Sequence, residues 1–227
     1  MQQIIVSSVG SSVLTKLLSK EEQDYLMQVS NQQYADAHVQ QLLADCYDLF
    51  KKEPNRVLEC AELSTLSLYA RNVAGVELLL PNTTYMFLVT DTAVGRFCAD
   101  VIREFMQFRY RITVDIYVIP GLQVEDLSTL DSALHELERQ LDGVCRNYGI
   151  VPIWQRVRLW LNVSAGQSPR MILNITGGFK VVSSWLQAYA TMHGITTIYK
   201  YESRRATLVV LRNQNPNTMP VIEYYYA

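Results

Sequence analysis

NITGGFK, residues 174–180, follows the apolar run Met171, Ile172 and Leu173 and leads into VVSSWLQAYATMHG, residues 181–194. The first part reads as a strand and the last part has the apolar spacing of a helix, so the glycine pair between them is a tight turn from strand to helix. That succession, strand then turn then helix, is the unit from which parallel sheets are built. It also places Lys180 in the first turn of the helix, where the macrodipole disfavours a cation by a few tenths to about 1 kcal/mol. The placement therefore calls for a compensating partner.

Working outward, the same unit recurs. Residues 3–9, QIIVSSV, read as a short buried strand that stops at Gly10, followed by SSVLT at a helix start. VELLL (76–80) and YMFLVTD (85–91) are strand candidates on either side of a Pro81-Asn82 turn, and TAVGRFCADVIREFMQF (92–108) is an amphipathic helix with Phe97, Val101, Phe105 and Phe108 along one side. ITVDIYVIP (112–120) is a strand closed by Pro120-Gly121. Helical spacing covers about 19–31, 34–52, the ECAELSTLSLYARN run after Pro54, Asp126 to Tyr148, and a second helix or cap over Pro152 to Leu161. His193-Gly194 is a glycine helix stop, and ITTIYKY, ATLVVL and PVIEYYY close the chain as strands.

Strands alternating with helices predict an α/β fold, a Rossmann-like and mainly parallel sheet flanked by helices, with antiparallel edge strands at the C-terminus. No repeat, low-complexity stretch or long linker interrupts residues 1–227, which read as a single domain with helical elaborations near 19–52 and 126–162.

Composition narrows the function. With 20 basic and 22 acidic residues there is no global attraction to nucleic acid or membrane, so any anion site is local and long nucleic acid is not an expected partner. The four cysteines and three histidines are scattered without metal-ligand spacing, so neither a metal nor a cofactor is expected. MQQIIVSSVG has no basic region followed by a long apolar run, and no segment reaches the ~18 apolar residues of a membrane span. A reduced, soluble, cytoplasmic protein is the expectation.

Ligands of open α/β sheets bind beyond the carboxyl ends of strands, where helix starts present free amides. Three such places carry suitable residues. At the first, Gly10 is followed by Ser11 and Ser12; at the second, Asn174 and Thr176 flank the strand end, Gly177 and Gly178 let backbone approach a ligand, and Phe179 and Lys180 follow. At the third, Thr90, Asp91 and Thr92 end a strand and Arg96 lies one helical turn on. The first two read as amide-lined phosphate cups. Neither is the dinucleotide or the Walker fingerprint, because the glycine offsets differ. Plainer readings exist for each: a serine N-cap, an ordinary turn, a lysine reaching into solvent, and for EYYYA simple edge-strand packing.

VGSSVLT (9–15) and NITGGFK (174–180), with VTDTAVGRFCADVIREF (89–105) and IPGLQVEDL (119–127) between them, resemble the CRISPR-associated Rossmann-fold family known as CARF, and within it the stand-alone branch that includes the ring nucleases. The similarity runs from the first strand to about residue 211. Serine at Ser11 departs from the threonine frequent in the family, and WQRVRLWLNVSAGQSPR (154–170) is unusual.

The resemblance implies a homodimer that binds cyclic oligoadenylate, cyclic tetra-adenylate above all, across its two-fold axis, with each cup offered twice. It further implies metal-independent cleavage by in-line attack of a ribose 2′-hydroxyl, giving linear di-adenylate with a 2′,3′-cyclic phosphate and switching off type III CRISPR signalling. Lys180 and Ser12 match the motif residues used for cleavage. No residue stands out as a general base, so a slow reaction is expected. Two other readings remain: a non-cleaving sensor that signals to a separate partner, and an unrelated enzyme of a small phosphorylated metabolite, which would need an acid or histidine near the glycines, where the sequence offers none.

Overall fold

The computed structural model describes residues 3–76, 83–122, 127–150, 170–178, 180–201, 206–213 and 219–226. Among the described residues seven strands form one sheet: β1 (Gln3–Ser8), β2 (Thr83–Thr90), β3 (Val114–Ile119), β4 (Arg170–Asn174), β5 (Thr196–Tyr201), β6 (Thr207–Arg212) and β7 (Val221–Tyr226). Their order across the sheet is β3-β2-β1-β4-β5-β6-β7, parallel from β3 to β5 and antiparallel for the last two pairings. This is the α/β Rossmann-like architecture that the alternating pattern predicts.

The central strands are apolar on both faces because both are covered, as parallel sheets require. Side chains alternate, so Ile5, Tyr85, Phe87, Val89 and Ile172 enter one core while Ile4, Val6, Met86, Leu88, Met171 and Leu173 enter the other. The first core is closed by α1 (Ser12–Leu17), α3 (Ala37–Lys52), α5 (Ala61–Ala74) and α6 (Ala93–Tyr110). The second is closed by α7 (Leu127–Asn147) and α8 (Lys180–His193). The chain thus crosses from one face to the other between β3 and β4, which puts the reversal of strand order at the β1/β4 boundary.

Local signals explain most element boundaries. Ser19 and Glu22 make a reciprocal capping box at the start of α2 (Lys20–Gln28). Pro54 opens α4 (Pro54–Leu58) at its first position, where its missing N–H costs nothing. Gly194, at a φ of 67°, follows the last residue of α8, the stop predicted from the sequence.

Three details differ from the sequence reading. The predicted helix 19–31 ends at Gln28 and is followed by a 3₁₀ turn, Asn31–Ala35. The ECAELST run begins its helix only at Ala61, after a turn at Glu59 and Cys60. Phe108 is 48% exposed, whereas Phe97, Val101 and Phe105 are fully buried; Tyr110 packs edge-on against Phe105 at this end of α6 instead. Residues 77–80 of the predicted strand 76–80, the Pro81-Asn82 turn, residues 123–126 of IPGLQVEDL, the helix or cap over 152–161, most of the unusual 154–170 segment, and Phe179 lie outside the described residues. Among the described residues no helix is long and apolar enough to cross a membrane.

Candidate functional site

Parallel pairing of β1 with β4 sets Ser7 opposite Asn174, so the first two glycine turns leave neighbouring strands at the same edge of the sheet. They pack backbone to backbone. A Cβ on Gly10 would lie 2.6 Å from the Gly178 amide nitrogen, and one on Gly177 would lie 2.7 Å from the Ser8 carbonyl oxygen. Ser8 Oγ donates to the Gly177 carbonyl at 2.5 Å, and Gly178 takes a φ of 89°, a conformation that favours glycine. The glycines therefore answer first to each other.

Beneath the paired turns lies Glu62, on the first turn of α5 and wholly buried. Its Oε1 accepts the Gly10 N–H at 2.7 Å and its Oε2 accepts the Ser12 hydroxyl at 2.6 Å. Ser12 Oγ in turn accepts the Ala61 N–H at 3.0 Å. A Cβ on Gly177 would fall 2.2 Å from Glu62 Oε1. Asn174 Nδ2 donates to the Glu62 carbonyl at 3.2 Å while its Oδ1 accepts the Thr176 N–H, also at 3.2 Å. One residue thus ties these elements together: the Glu62 carboxylate holds the turn after β1 to the start of α5, and its backbone carbonyl holds the end of β4.

Glu62 corrects two expectations. An acid does lie at the glycines, and the Gly10 amide is committed to it rather than to an open cup. Burial pushes the Glu62 carboxyl above its ordinary range, against the downward pull of its bonds from Ser12 and Gly10. Burial also holds the nearby Cys60 thiol up to about 12, with the Glu62 charge adding to the effect. A signal for Glu62 was present in the sequence: with Leu66, Tyr69 and Ala70 it falls on the apolar stripe of its helix, where an acid is out of place.

The third strand end closes on itself. Thr92 caps α6 by accepting the Gly95 N–H at 2.8 Å, and its hydroxyl lies 2.8 Å from that of Thr90. Asp91 Oδ1 accepts the Gly121 N–H at 3.3 Å, and the Asp91 carbonyl accepts from Asn31 Nδ2. Between this end and the paired turns opens a cleft of about 690 Å³. Gly10, Ser11, Gly178, Thr90 and Thr92 line it on the sheet side. Its opposite wall is Leu26, Met27, Val29, Ser30 and Asn31, which sequence reasoning passed over as ordinary helix and turn. The cleft thus mixes apolar side chains, Leu26, Met27 and Val29 among them, with hydroxyls and glycine backbone, the usual make-up of a small-ligand site.

The cations stand around this edge. Lys180 is the first residue of α8 and exposed, and among the described residues it has no ion-pair partner. The half-buried Arg96 has its Nε buried without a hydrogen-bond partner among the described residues. Neither side chain lines the cleft. Lys200, absent from the sequence reading, lies one residue before the end of β5, beside the glycine turn; its N–H donates to Thr176 Oγ1 at 3.0 Å and its Nζ to Ser64 Oγ at 3.2 Å. The Thr176 hydroxyl also lies 2.8 Å from that of Thr65. Of the predicted residues, Gly10, Ser11, Thr90, Thr92 and Gly178 meet at the cleft, while Ser12, Asn174, Thr176 and Gly177 form the support beneath it.

Residues 57–211 match the model of a family described as CRISPR-associated protein (Cas_APE2256). No curated protein matches the sequence. The match spans more than half of the chain, and the protein belongs to that CRISPR-associated family.

Proposed function

We propose that this member of the CRISPR-associated Cas_APE2256 family binds cyclic oligoadenylate, cyclic tetra-adenylate in the first place, at the carboxyl edge between β1 and β4, and cleaves it. The observation that carries the reading is the meeting of two glycine turns at the strand-order reversal, with Lys180, which has no ion-pair partner among the described residues, at the adjoining helix start and a part-apolar cleft alongside. A phosphodiester ring supplies anions for the lysine and flat bases for the apolar wall formed by Leu26, Met27 and Val29. A homodimer would present this edge twice, matching the two-fold symmetry of a tetra-adenylate ring.

Cleavage needs no imported nucleophile. The ribose 2′-hydroxyl next to each phosphate attacks in line, the 2′-oxygen to phosphorus bond forms and the bond to the 5′-oxygen breaks, leaving a 2′,3′-cyclic phosphate. Water receives the proton of the 2′-hydroxyl and returns one to the 5′-oxygen. The protein's part is to hold that geometry and to stabilise the added charge on the phosphoryl oxygens. Lys180 meets that charge, and Ser12, on the first turn of α1, orients a phosphate oxygen when its hydroxyl turns away from Glu62. The cost of a cation at the start of α8 is then offset when the anion arrives.

Labelled cyclic tetra-adenylate incubated with the protein in EDTA tests this. Conversion to linear di-adenylate, reduced at least a hundredfold by Lys180→Ala, is the expected outcome; removing one charge-stabilising donor commonly costs about 10²–10³ in rate. Binding with an intact ring would make the protein a sensor acting through another chain. No binding would refute the assignment.

A further inference from the structure

Glu62 is the buried ionisable group that the cleavage scheme leaves unused. It carries a carboxylate with no cation paired to it among the described residues, placed directly under the turns to which an anion would come. The Ser12 hydroxyl has one proton, and in this arrangement the proton points into Glu62 Oε2, with Oγ already accepting from Ala61. While Glu62 is ionised, Ser12 has no hydrogen to offer a phosphate. If Glu62 takes up a proton on Oε2, the carboxyl group becomes the donor to Ser12 Oγ across the same 2.6 Å. The serine proton is then free to turn outward, while Gly10 keeps its acceptor at Oε1.

Building on the reading above, we infer that Glu62 is a positioning residue that governs the direction of the Ser12 hydroxyl, and that the anionic ring binds with uptake of a proton by Glu62. Two independent effects act in the same direction. An anion raises the cost of the buried negative charge beneath it, and the protonated carboxyl releases the donor that the anion needs. The groups facing Glu62 do not supply an alternative proton acceptor. Among the described residues, Gly10 and Ser12 face it from α1 and its turn, and Asn174 and Gly177 from the end of β4. Cys60 before α5 and Cys98 on α6 are thiols that burial keeps protonated, and Lys200 is engaged with Ser64 rather than with Glu62. Lys16, which faces Cys60, is paired with Glu59.

The test uses cyclic tetra-adenylate carrying fluorine in place of each 2′-hydroxyl, so that binding is read without cleavage. Titration calorimetry of the full chain in two buffers of different ionisation enthalpy gives the protons taken up, and repetition from roughly pH 5 to 8 gives the slope of affinity, at most about tenfold per pH unit for each proton. Wild type should take up protons and bind more tightly as pH falls. Glu62→Gln keeps an acceptor for Gly10 and donates to Ser12 Oγ, so it should bind without the Glu62-linked uptake, with a flatter slope and at least the wild-type affinity at low pH. Equal proton uptake and equal slopes in the two proteins would overturn the inference and leave ring binding standing. Weaker binding by Glu62→Gln with an unchanged slope would also overturn it, marking Glu62 as a strut alone. Failure of the folded wild type to bind at any pH would refute the ring-binding reading itself, and the inference with it. Because the two-buffer measurement on wild type needs no variant, it stands even if Glu62→Gln misfolds.

Discussion

Two kinds of strand end stand side by side at the carboxyl edge of this sheet. The β2 end, Thr90 to Gly95, closes mainly with its own neighbours: Thr92 caps the helix two residues after Thr90, and Gly95 fits against both threonines. The β1 and β4 ends close through partners far away in the chain, Gly10 and Ser12 on Glu62, and Ser8 on Gly177. In sequence they look alike, each a glycine among hydroxyl residues at the end of a strand. In the fold one is chiefly a local cap, joined through Asp91 to Asn31 and Gly121, and the other a support shared around a buried carboxyl group. A buried uncompensated carboxylate is costly, and a site that keeps one is a candidate for function rather than for stability alone.

The sharpest way to break that contrast is Gly177→Ala. Its Cβ would overlap Glu62 Oε1 and the Ser8 carbonyl, neither of which can move without parting the two turns. A loss of about 3 kcal/mol, at the upper end for an overpacked site, is expected in urea or thermal unfolding. A loss below about 0.5 kcal/mol, within the range of ordinary surface changes, would mean the turns are not held as described.

Next comes the buried charge itself. The Glu62 carboxyl sits above its ordinary value of 4.5 in the folded chain, so between that value and the raised one the folded state holds more protons than the unfolded state. Its contribution to stability therefore falls as pH rises from about 4.5 through the raised value, and the loss is complete above it. Unfolding midpoints measured across this range should decline less steeply in Glu62→Gln than in wild type. Parallel curves would show that Glu62 carries no such shift.

The self-contained end should respond more mildly. Thr92→Ala removes the cap on the Gly95 N–H and should cost about 1 kcal/mol in the same unfolding measurement. Smallest of all is Lys180→Ala, where an exposed cation leaves a helix start; stability should change by no more than a few tenths of a kcal/mol and in the stabilising direction. A clear destabilisation would assign Lys180 a structural contact instead.

The contrast also explains what could be seen in the chain beforehand. The sheet was legible because its strands are apolar runs such as Ile4 to Val6 and Tyr85 to Val89, punctuated by glycine and proline, and because Gly194 marks a helix stop locally. The glycine turns were legible for the same reason. For Glu62 only its burial was signalled, by its place on the apolar stripe of α5; its acceptor role was not, since Gly10 and Ser12, some fifty residues earlier, reach it only in the folded chain. Lys200 was missed because only the β4/β5 register sets it beside Thr176. The Leu26 to Asn31 wall was missed because nothing in a short amphipathic helix says which cleft its end will border.

The β1/β4 edge as a site for a two-fold symmetric cyclic oligoadenylate can be tested by mass and stoichiometry. Sedimentation equilibrium combined with titration of the 2′-fluoro ring measures mass and stoichiometry together. Saturation at one ring for every two chains, on a particle of twice the chain mass, is the predicted result. One ring per single chain, or no uptake of the ring by the folded protein, would contradict it.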